Sequence, residues 1–123
     1  MSVHALTPRK VRMTEHQRAT LRREAQVRGV TTIEIIDEAI RDLAASIERD
    51  ASLHLPDHAT PRASVRVSPD GWRLLQELPN VSDDRAVIRA SATDLLSAAI
   101  EALTRRINTG QLSDEASSVY LSA

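Results

Sequence analysis

The sequence predicts a mainly α-helical domain carrying one two-stranded antiparallel β-ribbon, with two similar halves of a single chain related by a pseudo-two-fold axis. Three observations predict it. The first is an internal repeat: VRMTEHQRATL (residues 11–21) matches VRVSPDGWRLL (residues 65–75) at an offset of 54, and TTIEIIDEAIRDLAASI (31–47) matches SATDLLSAAIEALTRRI (91–107) at an offset of 60. The second is that each copy opens on a polar/apolar alternation and continues with apolar residues three and four apart. The third is the near absence of aromatic residues, Trp72 and Tyr120 alone, which leaves Ile, Leu, Val and Ala to build the core.

In the first copy, Lys10 to Met13 alternates, with Val11 and Met13 on one face and Lys10 and Arg12 on the other, the period of a half-buried strand. Thr14 followed by Gln17 is a capping box that opens a helix, and Leu21 and Ala25 give it an apolar stripe until Gly29 stops it. Thr31 followed by Glu34 repeats the box before the most regular helix of the chain. Its broad apolar face comprises Ile33, Ile35, Ile36, Ala39, Ile40, Leu43 and Ile47.

In the second copy, Arg62, Ser64 and Arg66 alternate with Ala63, Val65 and Val67 as a second strand. Ser68 caps a helix with Pro69 at its first position, where the missing amide hydrogen costs nothing. Trp72, as a core anchor, Leu75 and Leu78 form its stripe, and Pro79 and Asn80 are expected to end it. The difference between the two offsets puts six extra residues into NVSDDRAVIRA, read as a loop with a short helical turn. Ser91 and Asp94 then cap a helix with Leu95, Leu96, Ala99, Ile100, Leu103 and Ile107 as its apolar face, closed by Asn108 to Gly110.

One compact domain over 1–123 thus divides into a first unit at 8–49, a linker at 50–60 containing Pro56, a second unit at 61–109 and a small polar tail at 110–123. The linker of about 11 residues reaches roughly 35 Å when extended, enough to return the second strand beside the first.

Charge is unevenly distributed. The net charge is −1, yet residues 1–31 carry seven Arg or Lys against two acids, whereas residues 32–60 carry seven acids against two Arg. Residues 61–90 have five Arg against four acids and 91–123 two against four, so positive potential concentrates in the first segment. There is no cysteine, which excludes disulfides, thiolate metal sites and thiol catalysis, and fits a reducing compartment. No run approaches the roughly 20 apolar residues of a membrane helix, and MSVHALTPRK lacks the apolar core of a secretory signal, so no membrane association is expected.

A lone short strand leaves its backbone groups unpaired, and the second helix leaves a wide apolar face uncovered. Two copies in one chain solve both problems by pairing the strands and packing four helices. Val11, Met13, Val65 and Val67 would then face the helices, and Lys10, Arg12, Arg62, Ser64 and Arg66 would face solvent with four cations on one ribbon.

With its VRM and VRV strands, Gly29-Val30-Thr31 turn and IIDEAI and LLSAAI helices, the sequence resembles the ribbon-helix-helix family, the MetJ/Arc class of DNA-binding proteins. The resemblance covers residues 8–47 and, more loosely, 62–107. It implies a ribbon that enters the major groove of double-stranded DNA, where Arg and Lys pair with guanine O6 and N7, and helix N-termini that hold phosphates. Carried over, it makes Lys10, Arg12, Arg62, Ser64 and Arg66 the base readers and Thr31, Thr32, Ser91 and Ala92 the backbone phosphate clamps. Pro8, at the remaining outward position, cannot hydrogen-bond a base, so the halves should read different sequences. The insertion leaves the position of the Ser91 clamp open. A single-chain tandem form implies a monomer that imitates a dimer in the bacterial cytoplasm. It further implies a role as an accessory factor in conjugative or T-DNA strand processing, with relaxosome or other DNA-processing proteins as partners. A transcriptional repressor or an antitoxin of the same class is the alternative, although the tail is short for a toxin-masking segment.

No enzymatic activity and no cofactor is expected, because no nucleophile stands at a telling spacing from a base and no glycine-rich loop cradles a nucleotide. His54 and His58 have the four-residue spacing of helical metal ligands but flank the helix-breaking Pro56, so no metal site is expected. Arg18, Arg22, Arg23 and Arg28 read as a solvated helix face, some of it near a bound DNA backbone.

Overall fold

A computed structural model describes residues 7–49, 53–57 and 59–109. The expectations about residues 1–6, His58, Gly110 and the tail lie outside the described residues. The elements run β1 (Thr7–Arg12), α1 (Glu15–Arg28), α2 (Thr32–Glu48), β2 (Arg62–Val67), α3 (Pro69–Val81), α4 (Arg85–Arg89) and α5 (Ala92–Asn108). The fold is therefore mainly helical with one two-stranded antiparallel sheet.

Each helix starts where a side chain can take an orphan amide hydrogen. Thr14 and Gln17 form a reciprocal capping box, each side chain accepting from the other's backbone N–H at 3.0 and 2.9 Å. Ser91 and Asp94 do the same for α5. At α2, Thr31 accepts from the Glu34 amide at 3.2 Å, but the carboxylate does not return to the cap, so the expected box is half formed. Ser68 caps α3 through the Gly71 amide. Gly29 ends α1 in the left-handed conformation, with φ +70°, which a side chain would oppose sterically.

Two boundaries differ from expectation. β1 begins at Thr7 rather than Lys10, because β2 is six residues long and offers ladder partners back to that point. α3 continues through Pro79 and Asn80 to Val81. Pro79 forfeits a bond only in the final turn, and Leu78, buried beside it, holds that turn against the core. The short helical turn expected in the insertion is α4, capped by Asp84 and pinned by Val87, which is buried in the core cluster.

The core lies between the ribbon and the α2–α5 pair. Ile35, Ile36, Ala39, Ile40 and Leu43 of α2, and Leu95, Leu96, Ala99, Ile100 and Leu103 of α5, are all buried, joined by Leu21 of α1 and Leu75 of α3. Val11, Met13, Val65 and Val67 roof this layer as their alternation requires. Polar bonds fix the layers laterally. Ser97 accepts the Arg12 backbone N–H at 3.0 Å and holds β1 on α5, and Ser68 donates its hydroxyl to Asp37 at 2.7 Å, holding the start of α3 on α2. Gly71 makes that second approach possible, since a Cβ there would lie 2.7 Å from Asp37 Oδ1 and 3.0 Å from Ile40 Cδ1. Arg106 meets Asp42 at 2.7 Å between α5 and α2, a half-exposed pair worth at most about 1 kcal/mol.

Candidate nucleic-acid interface

The register of the ribbon decides what its outer face presents. Ladder partners are Pro8 with Arg66, Lys10 with Ser64 and Arg12 with Arg62, all on one face, alternating with Arg9 opposite Val65 and Val11 opposite Ala63. Pro8, Lys10, Arg62, Ser64 and Arg66 are exposed and Arg12 is half-buried. All five expected base readers thus share one surface. Neither strand contains an acidic residue, so this face holds four cations and no anion. Among the described residues, the ion pairs leave out Lys10, Arg62 and Arg66.

Arg12 directly opposes Arg62 across the ladder, so two like-charged side chains leave the ribbon from Cβ atoms about 5.5 Å apart. The Arg12 guanidinium donates to the Thr60 carbonyl at 2.9 Å, which anchors it at the ribbon's end in the approach to β2.

Arg9 behaves differently from the other strand cations. It has the parity of Val11, points to the helices, and lays its guanidinium 3.8 Å from the centroid of the Trp72 ring. Its Nε is buried without a hydrogen-bond partner. The cation–π contact, about 0.5–2 kcal/mol, offsets part of that desolvation. Trp72 is half-buried, packed on the core beneath Arg9, and so anchors the fold as expected. The parity of Arg9 was readable in the sequence, but its aromatic partner on α3 was not.

The cations of α1 separate into three situations. Arg22 and Arg23 are exposed, and Arg18 reaches across to donate to the Ser64 carbonyl at 3.0 Å. Arg28 lies between Glu24 and Glu38 at 2.6 and 2.5 Å and ties α1 to α2. Burial alone would lower the Arg28 pKa, but hydrogen bonds to Glu38 and Glu24 outweigh it and raise the group above its ordinary value. Glu38 on Arg28, Asp42 on Arg106 and Asp37 on Ser68 take up three of the acids between residues 32 and 60.

The four residues expected to clamp phosphates lie at two helix starts. Thr31 and Ser91 occupy the N-cap positions of α2 and α5 with nearly the same backbone conformation, φ/ψ −84°/159° and −76°/165°, so the insertion leaves the local geometry of the Ser91 cap intact. Thr32 and Ala92 are the first helical residues, whose amide hydrogens have no intrahelical acceptor. The two starts are not electrically equal. Ser91 N–H already donates to the Asp94 carboxylate at 3.3 Å, and its hydroxyl also pairs with Thr93 at 3.0 Å. A phosphate at α5 would meet that carboxylate, whereas at α2 the cap is not closed by Glu34.

His54 is exposed, and among the described residues no group of three His, Asp or Glu side chains is placed to hold a metal ion. No helix among them is long and apolar enough to cross a membrane. Comparison with protein-family models, with curated proteins and with solved structures finds no significant match to this chain.

Proposed function

We propose that this chain binds double-stranded DNA in a sequence-specific manner, as a single-chain ribbon-helix-helix protein that sets its ribbon in the major groove. Lys10, Arg12, Arg62, Ser64 and Arg66 read base edges, and the helix starts at Thr31/Thr32 and Ser91/Ala92 grip the flanking phosphates. The observation that carries this reading is the outer ribbon face, with four cations and no acid, where Arg12 and Arg62 are ladder partners. A two-stranded ribbon fits the width of the major groove, and guanidinium groups suit guanine N7 and O6.

The pairing of the halves supports the dimer-like arrangement. The repeat aligns Lys10 with Ser64, and these two are ladder partners, so aligned positions run outward from one central pair. The aligned core positions of α2 and α5, from Ile35 and Leu95 to Leu43 and Leu103, are buried alike. A family dimer places two identical strands in this relation, and here one chain supplies both. In size and in its two fused units the sequence resembles the C-terminal domain of the overdrive-binding VirC accessory protein of T-DNA transfer. On that resemblance the chain assists strand processing in a bacterial cytoplasm beside relaxosome proteins.

Selection of bound duplexes from a random pool, followed by fluorescence anisotropy on the preferred duplex, tests the reading. Wild type is expected to prefer one sequence and to weaken with salt, with a log–log slope of about −0.9 per phosphate contacted. The variant carrying Arg12→Ala and Arg66→Ala should lose that preference while keeping its helical circular dichroism. An unchanged preference removes the ribbon from the interface.

A further inference from the structure

The two halves treat one aligned position differently, and the difference opens a cleft. The repeat aligns Arg18 with Trp72 and Ala63 with Arg9. In the second half an indole lies against the core with a guanidinium stacked on it. In the first half Arg18 instead extends to the Ser64 carbonyl, and only the methyl of Ala63 stands where the covering arginine would be. A cleft of about 380 Å³ lies beside Arg18, between β2 and the helices α1 and α2.

Its chemistry is two-sided. Ile33 and Val65 offer its apolar surface over the buried Met13, Leu21 and Ile36, and three arginines, Arg18, Arg22 and Arg66, line it with no acidic residue among the lining side chains. Among the described residues none of these arginines forms an ion pair. The first turn of α2, at Thr32 and Ile33, also borders the cleft and adds the positive end of a helix dipole. Ligand pockets with an apolar body and a few convergent polar groups typically begin at roughly 300 Å³.

We propose that this cleft binds a small amphiphilic anion, an aromatic or aliphatic body carrying one carboxylate, sulfonate or phosphate group. The apolar body lies on Ile33 and Val65, and the anionic group pairs with the arginine rim. Arg66 belongs to both this rim and the outer ribbon face, so an occupied cleft would compete with a duplex; that consequence, unlike the site itself, rests on the DNA reading.

The test needs no DNA. The full chain, labelled with nitrogen-15, is titrated with 1-anilinonaphthalene-8-sulfonate, and fluorescence is followed beside amide shifts. One probe per chain is expected, with saturable shifts centred on Leu21, Thr32, Ile33 and Val65. Arg18→Trp, which installs the residue found in the other half, should weaken binding by at least about tenfold by taking up the space. The exposed Arg22→Glu, which leaves the core untouched, should weaken it by about three- to tenfold through charge alone. Saturable shifts elsewhere, absence of binding to wild type, or undiminished binding to both folded variants would overturn the proposal.

Discussion

Replacing Arg62 by Ala separates the stability of the ribbon from its function, because the two are expected to move in opposite directions. Arg62 is exposed, lies opposite Arg12, and belongs to none of the ion pairs among the described residues. Its removal relieves a cross-strand repulsion of about 0.2–1 kcal/mol. For a domain of this size the melting temperature should rise by about 1–5 °C. If Arg62 reads a base edge, the same change should weaken the preferred duplex by about 1–3 kcal/mol, roughly 5- to 150-fold, and relax selectivity at one base pair. If Arg62 touches a phosphate instead, all duplexes weaken alike and the salt slope falls by about 0.9. Differential scanning calorimetry and anisotropy titrations at several salt concentrations measure both effects on the same protein. A variant that loses stability while binding DNA as tightly as wild type would refute the reasoning, since the arginine would then serve the fold and not the groove.

Three further outcomes test the architecture. Ile100→Ala, at a fully buried site on α5, should cost about 2–5 kcal/mol in urea unfolding with no change in the slope of the transition. Gly71→Ala should destabilise the protein by about 1–3 kcal/mol, because the new methyl displaces Asp37 Oδ1 and breaks its bond to Ser68; thermal unfolding reads the loss, and an Asp37→Ala background should reduce it. A fragment of residues 1–50 should self-associate in sedimentation experiments, since the α2 face that buries Ile36, Ile40 and Leu43 loses its cover; a stable folded monomer would contradict the pairing of halves.

The face assignments were legible because strand parity and helix period are geometric. Once Val11 and Val65 point inward, Lys10, Arg12, Ser64 and Arg66 have to point outward, and the burial follows that rule. The caps at Thr14, Thr31, Ser68 and Ser91 were legible for a similar reason, as each is a local exchange between a side chain and amides two or three residues on. Features that depend on distant partners were not. Pro79 reads as a helix stop until Leu78 is seen to bury the last turn. The inward Arg9 needs Trp72, and the half-formed cap at α2 depends on where Glu34 points. The cleft beside Arg18 was visible only as an unlike pair in the repeat, Arg18 against Trp72, whose consequence depends on packing.

Substitution of 7-deazaguanine for guanine in the preferred duplex probes the major-groove edge without altering base pairing or the phosphate backbone. If the ribbon's arginines read guanine there, affinity should fall by about tenfold or more at one or more positions, with the minor-groove binder distamycin having little effect. Undiminished binding to the fully substituted duplex, or displacement by distamycin, would contradict the placement of the ribbon in the major groove.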